Sequence, residues 1–238
     1  SIDKRLQFVG FNILKDYSQK FKADSASLVL IKVKTGEILA MANYPSFNPT
    51  KRHEMTGPKI KNSVTSISFE PGSTIKPFVA LAALEAGVSE EETFFCNGKH
   101  QIKDSSLESG YKTFHCWKKE GHGKVDMTEA IKVSCDVYFY QISRRIGIDK
   151  ISSVCKRYGM GEKIFKSLYE EKKGIVPNKK WKLDNIGTPW MVGETLSAGI
   201  GQGYFLSTSA QLSYAYAQLI NNGESLVPKL IYEKEKNS

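Results

Sequence analysis

Pro71-Gly72 breaks the chain just before Ser73-Thr74-Ile75-Lys76, and from there the sequence runs on as Phe78-Val79-Ala80-Leu81-Ala82-Ala83-Leu84 to a closing Gly87. A helix with so little polarity is expected to be buried, so the rest of the chain must fold around it. The break puts Ser73 at the helix N-terminus, where unpaired backbone N–H groups and the positive end of the dipole favour developing negative charge. Lys76 lies three residues on, on the same face, within reach of the Ser73 hydroxyl. Pro77 is tolerated because a first-turn residue has no intrahelical N–H bond to lose. A serine hydroxyl needs a neighbouring base to act as a nucleophile, and a partly desolvated lysine can supply one.

The Ser-x-x-Lys spacing alone decides little, since it recurs at Ser1/Lys4, Ser109/Lys112 and Ser153/Lys156. Only Ser73/Lys76 follows a Pro-Gly break and opens an apolar helix. Elsewhere, residues 3–22 place Leu6, Val9, Ile13 and Tyr17 on one face at helical spacing. Residues 27–33 and 37–43 read as strands joined by Lys34-Thr35-Gly36, a hairpin signal. Residues 44–70 read as a long loop, 90–125 as irregular, and 159–206 as mostly loop. Helical patterns occupy about 126–133, 137–145, 149–158 and 208–221. A hairpin, a helix-rich middle and a further helix predict an α+β fold, an antiparallel sheet packed by helices with a helical sub-lobe.

The formal charge of +9, from 34 Lys+Arg against 25 Asp+Glu, suits an anionic partner or a lysine-rich solvated surface. No aromatic-plus-basic module of a nucleic-acid reader is present, so nucleic acid is not expected as a partner. No stretch approaches the ~20 apolar residues of a membrane span. The first residues, Ser1-Ile2-Asp3-Lys4, carry no signal-peptide pattern.

Ser-x-x-Lys, with Ser-Asp-Asn and Lys-Thr-Gly boxes, marks serine β-lactamases and penicillin-binding proteins. Sixty-one residues after Ser73 comes Ser134-Cys135-Asp136-Val137-Tyr138-Phe139-Tyr140, a second box between helices. With KTGEILAM (34–41), FEPGSTIKPF (69–78), CWKKEGHG (116–123), WMVGE (190–194), GIGQGY (199–204) and NNG (221–223), the chain resembles the transpeptidase domain of class B penicillin-binding proteins from residue 2 to about 232. It is most similar to their elongation-type branch, penicillin-binding protein 2.

That resemblance implies a peptidoglycan D,D-transpeptidase acting in cell elongation and rod shape. Ser73 would be the nucleophile, Lys76 its base and Ser134 a proton relay. Asp136 stands where many relatives carry Asn and elongation-type enzymes commonly have Asp. The implied partners are peptidoglycan stem peptides, β-lactam antibiotics, an elongation-complex glycosyltransferase and rod-shape scaffold proteins. The implied location is the periplasmic face of the bacterial cytoplasmic membrane. A β-lactamase or carboxypeptidase of the same fold is the rival enzyme reading, and a non-catalytic scaffold module is the rival outside enzymes. The family's third box belongs well after the last helix, so Lys34-Thr35-Gly36 is read as a turn. The later strands with that box, the N-terminal pedestal and the membrane anchor are expected to lie outside residues 1–238. The Gly199–Gly203 stretch is expected to support the site wall, and Trp181 and Trp190 to act as packing anchors.

Cys155 falls within a helical run and is expected to be buried. Cys96, Cys116 and Cys135 lie between or beside the two boxes, and with His122 they make a Cys₃His set of the kind that binds structural zinc. The segment 90–125 has little apolar content to order it, which a metal would supply. A Cys96–Cys116 disulfide and free thiols are the alternatives, and His115 or His100 the alternative imidazole. The acyl-transfer chemistry itself requires no cofactor.

Overall fold

The structure, a computed structural model, describes residues 2–51, 53, 55–165 and 168–231. It divides into two compact units. The first takes in the chain up to Phe69, the segment Tyr158–Gly174, and the described residues from Ser207 onward. Helix α1 (Lys4–Phe21) starts at Asp3, whose carboxylate accepts from the N–H groups of Arg5 and Leu6, and ends where Lys22 turns left-handed. Strands β1 (Ala26–Ile31) and β2 (Ile38–Tyr44) form the expected antiparallel hairpin. Lys34-Thr35-Gly36 is its turn, with Gly36 at φ 72°. A Cβ on Gly36 would lie 2.3 Å from the Val227 carbonyl oxygen, because Lys229 bonds alongside β2 through Gly36 and Ile38.

The apolar stripe of α1 faces outward: Leu6, Val9, Ile13 and Tyr17 are 39–58% exposed. The helix meets the hairpin through Gln7, whose amide makes two hydrogen bonds to the Met41 backbone, and through Gly10, where a Cβ would sit 3.3 Å from Leu28. Close approach through small and amide residues leaves the large ones on the other side. The segment read as loop contains the short helix α2 (Ser63–Ser66) and strand β3 (Ser68–Phe69).

The second unit comprises Glu70–Arg157 and Ile175–Leu206. Its centre is α3 (Lys76–Glu85), with Ile75, Phe78, Val79 and Ala83 fully buried. The helix is preceded by a 3₁₀ turn, Gly72–Ile75, rather than starting at Ser73. Residues 90–125 are a correction to the sequence reading. They hold β4 (Phe94–Cys96), β5 (Lys99–Lys103), β6 (Tyr111–His115) and β7 (Gly123–Val125), with β4 paired to β7 and β5 to β6. These strands are three to five residues long and bury few residues, so they lack the long alternating pattern that reveals a strand in sequence.

Helices α4 (Met127–Lys132), α5 (Asp136–Ile146) and α6 (Ile148–Arg157) follow as expected. Two more, α7 (Lys179–Ile186) and α8 (Val192–Gly199), occupy the stretch read as loop. Helix α7 is capped by the Asn178 side chain and stopped by left-handed Gly187, while α8 contains two glycines and packs on α5. At that crossing a Cβ on Gly199 would lie 1.9 Å from Ser143 Oγ, so close packing, not helix propensity, selects glycine. Cys155 on α6 is fully buried, and burial pushes its thiol up to about 12.

The chain then returns to the first unit with β8 (Ser207–Thr208), which pairs with β3, and α9 (Ser209–Ile220). Thr208 caps α9 and Gln211 reciprocates, a capping box that starts the helix. The α+β expectation holds, with the sheet content in small antiparallel pairs.

Candidate functional site

The turn that carries Ser73 is held by its own backbone. Gly72 N–H donates to the Gly201 carbonyl at 2.9 Å, and Glu70 Oε1 accepts from Gly203 N–H at 2.8 Å. The loop between α8 and β8 therefore supports the site wall, as expected. Gly201 sits at φ 73°, and a Cβ there would lie 2.2 Å from the Gly72 carbonyl oxygen. Gly201→Ala is expected to lose at least about 2 kcal/mol, a thermal midpoint lower by about 4–8 °C. Gly203→Ala is the control, because at φ 78° it meets only Ser197 Cβ at 3.5 Å. Equal losses in the two variants would mean that the clash with the nucleophile turn is not the cause.

Lys76 is 2% exposed. Its ammonium donates to the Ser134 carbonyl (2.8 Å), Ser134 Oγ (3.0 Å) and Asp136 Oδ1 (2.7 Å). These three bonds use all three of its protons. Ser134 Oγ in turn donates to Ser73 Oγ at 3.0 Å. The sequence reading expected Ser73 and Lys76 to bond directly. Here Ser134 stands between them, because the buried amine turns toward the carboxylate and carbonyl that stabilise its charge. Asp136 accepts from Trp117 N–H with its other oxygen, at 3.0 Å, so both its oxygens are engaged.

Ser134 lies between α4 and α5 at φ 54°, in the left-handed region that costs a non-glycine residue energy. Its carbonyl is fixed there by Lys76 Nζ and by Trp117 Nε1 at 3.1 Å. Ser73 is exposed, and a cavity of about 540 Å³ opens over it, lined by Gly72, Trp117, Ser134, Tyr140 and Gln202 among others.

Cys96, Cys116, His122 and Cys135 converge beside this cavity, with their ligand atoms within 4.8 Å of one another. The His122 Nδ1 distances are 3.6 Å to Cys96 Sγ and 3.5 Å to Cys116 Sγ. A tetrahedron with Zn–S ~2.3 Å and Zn–N ~2.0–2.1 Å has S···N edges of about 3.6 Å. The donor set fits a tetrahedral metal. All three cysteines are buried, and none of the chain's four is in a disulfide. Burial pushes the Cys135 thiol up to about 12, with the Cys96 and Cys116 sulfurs adding to the shift. His115 and His100, the alternative imidazoles, lie outside the group.

Of the other Ser-x-x-Lys pairs, Ser109/Lys112 lies in the β5–β6 hairpin, Ser153/Lys156 lies on the exposed side of α6, and Ser1 lies outside the described residues. Trp181 and Trp190 both pack on Tyr204, as anchors. Sequence reasoning missed Trp117. Its backbone N–H holds Asp136, its indole holds Ser134, and its ring meets His122 edge-on. Its position next to Cys116, in a stretch matched by the resemblance, was the available signal.

A family model, the penicillin binding protein transpeptidase domain, matches residues 26–238. The chain is 35% identical to the peptidoglycan D,D-transpeptidase MrdA of Acinetobacter baumannii, over 97% of this chain and 34% of that protein. It is 34% identical to MrdA of Escherichia coli K12, over 92% of this chain and 36% of that protein. The chain thus spans about a third of the length of the curated relatives it matches. Among solved structures, Pseudomonas aeruginosa PBP2 in complex with WCK 5153 superimposes with a TM-score of 0.83 at 32% identity, covering 95% of this chain and 52% of that one. PBP2 of Helicobacter pylori in its complex with MreC gives 0.80 at 30% identity, covering 96% of this chain and 43% of that one.

Proposed function

The chain belongs to the penicillin-binding protein transpeptidase family, and from that membership we propose that it carries the acyl-accepting machinery of an elongation-type peptidoglycan D,D-transpeptidase. The observation that carries this reading is the hydrogen-bonded line Lys76–Ser134–Ser73, closed by Asp136. Ser73 Oγ attacks the penultimate D-alanine carbonyl of a stem peptide, and its proton passes to Lys76 in the neutral form of the amine. The C–N bond breaks, and Ser134 relays that proton to the departing nitrogen, so terminal D-alanine leaves as a neutral amine with its carboxylate still ionised. The neutral amine of a neighbouring stem then attacks the ester, the C–O bond breaks, and the proton that amine loses passes along the same line to Ser73 Oγ. A β-lactam acylates the same oxygen, but its leaving amine stays tethered in the opened ring.

In this reading the site residues are Ser73, Lys76, Ser134 and Asp136, and Trp117 positions the last two. The protein acts at the periplasmic face of the cytoplasmic membrane, with a glycosyltransferase and rod-shape scaffold as partners. The solved complex of the Helicobacter pylori relative with MreC supports the scaffold part. Intact-mass spectrometry of the full-length protein after exposure to penicillin tests the function: a stable adduct of one penicillin per molecule is expected. Rapid turnover of the antibiotic would replace this reading with a β-lactamase, and no adduct would leave a scaffold module.

A zinc ion held by Cys96, Cys116, His122 and Cys135 belongs to the same proposal, supported by the fit of the four donors to a tetrahedron. Its contribution would be structural, cross-linking β4, the chain after β6, the approach to β7 and the turn before α5. Elemental analysis of protein purified without chelator, with a free-thiol count, is the deciding measurement. Absence of zinc with two thiols lost to oxidation would replace the metal with a disulfide.

A further inference from the structure

Gln141, Arg144 and Arg145 occur at i, i+3 and i+4 and so share one face of the last turns of α5. That face lines a cavity of about 340 Å³ together with Phe94 of β4 and His100 of β5. The cavity shares no lining residue with the one over Ser73. Arginines in a last helical turn commonly offset the negative end of the dipole, but the two here are not equivalent. Arg145 pairs with Glu92. Arg144 is exposed, with no hydrogen bond or ion pair among the described residues, so the pocket holds one uncompensated positive charge.

A second unmet group stands across from it. His100 Nε2 is buried without a hydrogen-bond partner, while its ring packs against Tyr140. Burial and the nearby Arg144 both lower its pKa, which keeps the imidazole neutral with one N–H to donate. Phe94, fixed edge-on against Tyr138, supplies an apolar wall, and Gln141 supplies an amide that can pair with a peptide group. The volume is that of about eleven waters at ~30 Å³ each, enough for a dipeptide-sized ligand.

We propose that this cavity binds a peptide-borne carboxylate, with Arg144 as its bidentate donor and His100 and Gln141 completing its hydrogen bonds. A planar guanidinium matches a carboxylate in geometry and charge, and the single unpaired cation matches a single anion. The proposal stands apart from the acyl-transfer reading, because neither Ser73 nor turnover enters it.

The test is an NMR titration of the ¹⁵N-labelled protein with acetyl-alanyl-glutamate amide, which carries one carboxylate, and with its neutral glutamine counterpart. The acid is expected to shift the Arg144 Nε–H and His100 ring-nitrogen signals saturably, with the neutral peptide at least about 10-fold weaker. Arg144→Gln should weaken the acid by about 10-fold to 100-fold without changing the thermal midpoint. Prior acylation of Ser73 should leave the titration unchanged. Equal binding of the two peptides, no saturable shift, or undiminished binding by Arg144→Gln would overturn the site. Displacement of the peptide by an equal concentration of inorganic phosphate would overturn its assignment to a carboxylate. Loss of the shift on acylation would move the effect to the Ser73 cavity.

Discussion

Ser73→Ala is expected to abolish covalent labelling by penicillin, with the acylation rate falling by about 10⁴ to 10⁶ or below detection. The variant is clean because Ser73 is exposed and only accepts a hydrogen bond from Ser134, so its loss leaves no buried group unpaired. Lys76→Met would be equally inactive but harder to read. It would strip Asp136 of its ion-pair partner, and an uncompensated buried carboxylate costs about 3–5 kcal/mol. The remaining Ser-x-x-Lys pairs within the described residues cannot substitute. Ser109 is engaged with the Tyr111 backbone in a hairpin, and Ser153 lies on the exposed side of α6 away from any pocketed lysine. Ser134 is the hydroxyl bonded to Ser73 and so placed to compete, yet it is already an acceptor for Lys76. A residual adduct mapped by peptide digestion to Ser134 would exchange the roles of the two serines. One mapped to Ser109 or Ser153 would remove the assignment altogether.

Removing the proposed zinc from the Cys₃His group is expected to have the largest effect on stability. Apparent binding energies of structural zinc run to about 10–16 kcal/mol in small peptides. Even a third of that, lost to a strong chelator, lowers the thermal midpoint of a domain this size by roughly 10 °C or more. The strands it would hold are short, and β5 and β6 bury little apolar surface of their own. Cys135→Ser should reproduce the loss together with the loss of zinc. Cys155→Ser is the matched control: it is just as buried, but it stands outside the metal-capable group. It should cost about 1–3 kcal/mol and leave the metal content unchanged. Chelation should also slow acylation, because Trp117 follows Cys116 and holds Asp136, while Cys135 separates Ser134 from Asp136. A thermal midpoint that chelator does not move would refute a structural metal.

Much of this protein is legible along the chain because its information is local. The β1–β2 hairpin, α1, α4 to α6 and α9 announce themselves through turn residues and i, i+3, i+4 spacing. The Pro71-Gly72-Ser73 break likewise announces a nucleophile at a helix start. Local patterning carried less where elements depend on distant partners. Strands β4 and β7 pair across nearly thirty residues, and α8 tolerates Gly199 only because Ser143 of α5 packs against it. The stripe on α1 was visible, but its outward direction was set by how closely Gly10 lets the helix approach Leu28.

The site divides in the same way. Residue types and order along the chain, read with the family resemblance, picked out Ser73, Lys76, Ser134, Asp136 and the four metal-capable residues. Tertiary structure alone decided that His122, rather than His115 or His100, joins the cysteines. It also put Trp117 between the two clusters and pointed Lys76 at Ser134 and Asp136, 58 and 60 residues away, rather than at Ser73. Sequence spacing reports which side chains share a face of one element. Where a buried charge goes is set by the strongest acceptors that folding brings to it, and those come from other elements.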